Sequence, residues 1–80
     1  MISPAQCRAA RALLDWSQQD LADKAKVGVL TIHQFEAGKT VPRRATLDVV
    51  TRALEAAGVE FTKNEGVQRR APKARKAKPA

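Results

Sequence analysis

Aromatic side chains are scarce in this chain of 80 residues, with one tryptophan, two phenylalanines and no tyrosine. That disfavours a module that recognises RNA by stacking bases on rings. The single cysteine, Cys7, excludes an internal disulfide. No N-terminal run joins basic residues to a long apolar segment, so neither secretion nor membrane insertion is expected, and the expected location is cytoplasmic. With one histidine, no paired carboxylates in a pocket pattern, no metal-ligand cluster and no phosphate-binding glycine loop, nucleophilic and metal chemistry lack their parts. The sequence therefore predicts no enzyme and no cofactor.

What is present is positive charge. The formal net charge is +7, and it is unevenly spread. Residues 1–58 hold eight Lys/Arg against six acids, whereas residues 59–80 hold seven against two. This balance points to a polyanionic partner, nucleic acid first and an anionic membrane surface second, although a basic tail also serves simply as a solubilising extension. Eighty residues, 44% of them apolar, allow one small domain with a stability margin of only a few kcal/mol.

The periodicity is helical up to Gly58. Ser3-Pro4-Ala5-Gln6 is a helix start, with Ser3 as cap, Pro4 in the first turn and Gln6 completing a capping box. The spacing predicts a first helix from Pro4 to about Asp15. Cys7, Ala10 and Leu14, supported by Leu13, form its inward stripe, and Gln6, Arg8 and Asp15 lie outside. No His or acidic group accompanies Cys7 nearby in sequence, so the thiol reads as a small buried hydrophobe. Trp16 closes the core at its rim or stacks on a ligand. Ser17 and Asp20 make a second capping box, so a helix begins at Gln18, burying Leu21, Ala22 and Ala25 and exposing Asp20, Asp23 and Lys24.

Lys26, Val27 and Gly28 break that pattern, with Gly28 read as the residue taking angles a side chain would resist. A further apolar set at Val29, Ile32 and Phe35 predicts a third helix over about Val29–Ala37. Gly38 ends it, Pro42 marks a loop, and a fourth helix over about Arg44–Ala57 has Leu47, Val50, Leu54 and Ala57 as its inward stripe with Ala53 beside them, and Gly58 as its stop. Beyond it Val59-Glu60-Phe61-Thr62 alternates, Lys63-Asn64-Glu65-Gly66 has turn composition, and Val67-Gln68-Arg69-Arg70 returns as a second strand. Such a hairpin packs on the helices, pairs across a dimer, or frays. The run 71–80 has nothing large and apolar to bury and is expected to be disordered. The expected organisation is a helical domain over 1–58, an extension over 59–70 and a basic tail over 71–80.

The run WSQQDLADKAKVGVLTIHQFEAGKTVP, followed by TLDVVTRALEAAGVEF, resembles the Xre/Cro-type helix-turn-helix regulators, with their S-Q-x-x-L-A, T-I-x-x-x-E-x-G-K and P pattern. The resemblance covers about residues 6–61 and rests on many positions holding at once, among them Gln18, Leu21, Ala22, Val27, Thr31, Ile32, Glu36, Gly38, Lys39 and Pro42. It implies an all-α, four- to five-helix, lambda repressor-like fold. The helix from Gln18 would cross the DNA backbone and the helix from Val29 would enter the major groove.

Residue by residue, the resemblance implies three groups. Val29, Leu30, His33 and Gln34 would face bases. Val29 and Leu30 offer only apolar contact, such as to a thymine methyl, or pack on protein instead, whereas Gln34 suits adenine and His33 guanine or phosphate. Gln18, Gly28, Thr31, Lys39, Arg43 and Arg44 would hold phosphates, setting affinity and salt dependence. Arg11 and Glu36 would form a structural ion pair, the alternative being two surface charges worth little. The expected partner is double-stranded DNA bound by a homodimer, with Val59, Phe61 and the fourth helix as candidate interface. The competing expectation is an antitoxin or accessory adaptor whose main contact is a toxin-like protein.

Overall fold

Serine caps fix where the first two helices begin. In the computed structural model, which describes residues 2–62 and 66–69, Ser3 Oγ accepts from the Gln6 amide at 3.1 Å and Gln6 Oε1 accepts from the Ser3 amide at 2.9 Å. Ser17 and Asp20 repeat the arrangement at 3.0 and 2.9 Å. Satisfying two otherwise orphaned donors at each start leaves little choice of register. The elements are α1 (Pro4–Leu14), α2 (Gln18–Ala25), α3 (Val29–Glu36), α4 (Arg44–Ala56), β1 (Val59–Phe61) and β2 (Val67–Arg69). No helix among the described residues is long and apolar enough to cross a membrane.

The turns are built differently from expectation at one point. Gly28 caps α3 with ordinary extended angles, φ −70° and ψ 142°. The left-handed residue between α2 and α3 is Lys26, at φ 59°, and Asp15 ends α1 in the same way at φ 62°. Lys26 is held there by its own amide, which bonds back to the carbonyls of Ala22 and Asp23 and closes α2. Gly38 and Gly58, at φ 75° and 107°, do supply the glycine stops after α3 and α4.

The four helices converge on one core. Cys7 and Ala10 of α1, Leu21, Ala22 and Ala25 of α2, Ile32 and Phe35 of α3, and Leu47, Val50 and Leu54 of α4 are buried together with Ile2 and Val59. Leu14 and Trp16 pack at the edge, and Lys24 Nζ lies 6.0 Å from the Trp16 ring centroid. Val29, by contrast, stays 38% exposed and does not join the core stripe of α3.

β1 and β2 pair antiparallel, Val59 with Arg69, Glu60 with Gln68 and Phe61 with Val67. Both strands pack against α1, and β1 also meets α4, so the hairpin is stabilised by the helices rather than left on its own. This contact overturns one expectation. Gln6 is buried, not outward, because the hairpin covers it and Gln6 Nε2 donates to the Gly66 carbonyl at 3.1 Å. It also removes Val59, fully buried within the chain, from any intermolecular surface. Residues 63–65, which have turn composition, Arg70 and the run 71–80, expected to be disordered, lie outside the described residues.

Candidate nucleic-acid interface

The geometry of α3 is set by Glu36 at its end. Its side chain is 2% exposed, and its carboxylate is fully engaged. Oε1 accepts from Arg11 Nη2 at 2.7 Å and Gln18 Nε2 at 3.1 Å, while Oε2 accepts from Arg11 Nε at 2.7 Å and Cys7 Sγ at 3.1 Å. Arg8 Nη1 donates to the Glu36 carbonyl, and Arg11 Nη1 to the Trp16 carbonyl. Donors from α1 and α2 thus meet on one group of α3, which fixes the angle at which α3 leaves the core.

Burial by itself pushes the Glu36 carboxyl up, but the hydrogen bonds from Arg11, Cys7 and Gln18 and the nearby guanidinium outweigh it, so the group sits below its ordinary value. The hydrogen bond to Glu36 outweighs burial at Arg11, whose value moves up. Burial, then the hydrogen bond and charge of Glu36, push the Cys7 thiol far above its ordinary range. Cys7 is therefore a buried hydrogen-bond donor rather than a nucleophile. The acidic neighbour that the local sequence did not offer arrives from 29 residues away.

Away from the core, Leu30 and His33 are exposed and Gln34 and Thr31 half-buried, and Val29 is exposed in the first turn of α3. Residues 29 and 33, and 30 and 34, are four apart and share one face. Leu30 is 62% exposed. Gly28 gives α3 no side-chain cap, and Arg43 gives none to α4, in contrast to α1 and α2. The first-turn amides of α3 and α4 are thereby left without a side-chain acceptor, which suits them to an anion. Lys39, Arg43 and Arg44 are exposed in the loop after α3 and at the start of α4. Gln18, at the first position of α2, is half-buried and its amide is already shared, Nε2 with Glu36 and Oε1 with His33 Nδ1 at 3.3 Å. Among the described residues no His, Cys, Asp and Glu side chains gather as metal ligands.

A family model described as helix-turn-helix matches residues 8–62, from the middle of α1 to the end of β1, and so spans every residue of this surface. The chain belongs to the Xre/Cro/lambda repressor-like helix-turn-helix family of DNA-binding domains. A comparison with curated proteins gives no match. Within this helix-turn-helix domain, α2 and α3 are the two helices of the motif, and the turn between them is the one closed by Lys26.

The residues that sequence reasoning left out are Arg8 and Cys7, which join Arg11 on Glu36. Positions 7, 8 and 11 are one and four residues apart on α1, spacings that place 7 and 11 on one face. That periodicity was a usable signal for Cys7, whereas nothing local marks Arg8 as a donor to a carbonyl 28 residues away.

Proposed function

We propose that this DNA-binding regulator is a sequence-specific repressor that places α3 in the major groove and acts as a homodimer on a two-fold related operator in the cytoplasm. The observation that carries the reading is the division of α3 into two sides. Glu36, Ile32 and Phe35 anchor one side, while Leu30, His33 and Gln34 stand on the other and Val29 is exposed at the uncapped amino end. Lys39, Arg43, Arg44, the Gly28 amide and the Thr31 side chain would grip flanking phosphates, with the backbone amide of Gln18 at the head of α2. Base reading would rest on His33 and Gln34, and Val29 and Leu30 would add apolar contact to thymine methyls. One short reading helix covers few base pairs, so two copies on half-sites about 10 base pairs apart would supply an operator of useful length. Occupancy alone then suffices to block transcription. Footprinting tests this directly, since paired protections one DNA turn apart support it and a single unpaired protection contradicts it.

The exposure of Leu30 and Val29, with Val41 at 87%, supports a second reading, in which this face docks on a toxin-like protein. Its test is a Leu30→Ser variant that loses the protein complex in co-purification while keeping salt-dependent DNA binding. Loss of operator selectivity without any protein partner would refute it.

A further inference from the structure

The buried ion pair reaches the DNA-facing surface through one side chain. Gln18 bridges Glu36, which is hidden in the core, and His33, which is exposed on α3. The two ends of its amide are chemically distinct, and the neighbours decide which end goes where. Glu36 is ionised and can only accept, so the Gln18 atom 3.1 Å from its Oε1 must be the NH2 group. Turning the amide over would set a carbonyl oxygen against a carboxylate that is 2% exposed. The carbonyl oxygen of Gln18 therefore faces His33 Nδ1, and a carbonyl can only accept. Nδ1 must carry a proton, and in the neutral ring the far nitrogen, Nε2, is left with its lone pair.

We propose that Gln18, oriented by the Arg11–Glu36 pair, holds His33 in the Nδ1–H tautomer, so that Nε2 offers an acceptor to the major groove and selects a base bearing an exocyclic amino group, adenine or cytosine. Guanine presents only acceptors, O6 and N7, on its own major-groove edge, and is rejected by a neutral His33 held this way. The charged groups behind Gln18 are Glu36 of α3 and Arg11 of α1. Gln18 is thus a positioning residue for base recognition. The base preference rests on the DNA-binding reading above, whereas the tautomer is a property of the free protein and stands apart from it.

His33 is the only histidine in the chain, so a long-range 1H–15N correlation spectrum of the full-length protein reads its ring without ambiguity. In mildly alkaline buffer the wild type should show a pyrrole-type Nδ1 and a pyridine-type Nε2. Gln18→Ala and Gln18→Met, both checked for helicity by circular dichroism, should lose that pattern. A pyridine-type Nδ1 in the wild type, or an unchanged pattern in both variants, overturns the proposal. Selection from random duplex DNA supplies the second arm. Wild-type protein should enrich one base pair at one position of each half-site, and removing the exocyclic amino group there, by purine for adenine or 2-pyrimidinone for cytosine, should weaken wild-type binding roughly five- to tenfold while leaving Gln18→Met and His33→Ala unaffected. Wild-type binding that is unchanged by loss of that amino group contradicts the base preference. A wild type that enriches no site sinks both the DNA reading and the base preference, while the spectrum still decides the tautomer.

Discussion

Replacing Arg11 with alanine removes both guanidinium bonds to Glu36 and the bond to the Trp16 carbonyl. The carboxylate keeps Gln18 and Cys7 as neutral donors but loses its counter-charge. Breaking a buried pair from one side costs about 3–5 kcal/mol. The side chains are 19% and 2% exposed, so water entering from the arginine side offsets part of the loss and the lower end applies, about 3 kcal/mol. For a domain of this size each kcal/mol moves the midpoint by roughly 4–8 °C, so the variant should melt roughly 12–24 °C lower at neutral pH.

The pH dependence makes that prediction sharper. In the wild type the folded Glu36 value is depressed, so the pair's contribution is present above the unfolded value of about 4.3 and is lost as pH falls through the folded value. Without Arg11, burial becomes the leading influence and the folded value rises above about 4.3, so stability is then fully present below that pH and drains as pH rises. The deficit of Arg11→Ala should therefore be large near neutral pH and shrink toward about pH 4. Urea melts followed by circular dichroism across that range measure it. A deficit within about 0.5 kcal/mol of zero, the usual size of a surface substitution, or one independent of pH, would refute the reasoning.

Four further outcomes follow from the geometry and from the distribution of charge. Lys39→Gln, Arg43→Gln and Arg44→Gln should each weaken binding to all DNA sequences alike and lower the slope of log K against log salt by about 1, as read by fluorescence anisotropy. Deleting residues 71–80, which carry four Lys/Arg and no acid, should act in the same uniform way, and a selective loss at one operator would mean that the tail reads bases. Lys26→Gly should raise stability by about 0.5–1 kcal/mol in denaturant melts, because Lys26 takes the left-handed angles that glycine adopts freely. Gly28→Ser should be neutral or slightly stabilising, since Gly28 has ordinary angles and an added Cβ meets only Thr31 Oγ1 at 3.9 Å.

The parts of the fold that were legible in the sequence are those with a local cause. Ser3 with Gln6 and Ser17 with Asp20 determine helix starts to the residue, and the stripes through Leu21, Ile32, Leu47 and Leu54 identify the core. Local rules misplaced the left-handed turn residue, because they assign such angles to the nearest glycine, whereas the bonds that close α2 impose them on Lys26. Gln6 was expected outside because its cover is Gly66, 60 residues away. The site divides in the same way. Arg11 and Glu36 were legible through the family pattern, but Cys7 as a donor and Gln18 as a bridge to His33 depend on contacts between helices that no spacing along one helix reveals.

The central claim is that the outward face of α3 reads DNA. Selection from random duplex DNA, run side by side with wild-type protein and a His33→Ala/Gln34→Ala variant, tests it most directly. The account predicts that the wild type enriches two-fold related half-sites about 10 base pairs apart, and that the variant keeps salt-dependent binding but loses the enriched bases. Absence of enrichment by the wild type, or the same enriched site in the variant, would contradict it.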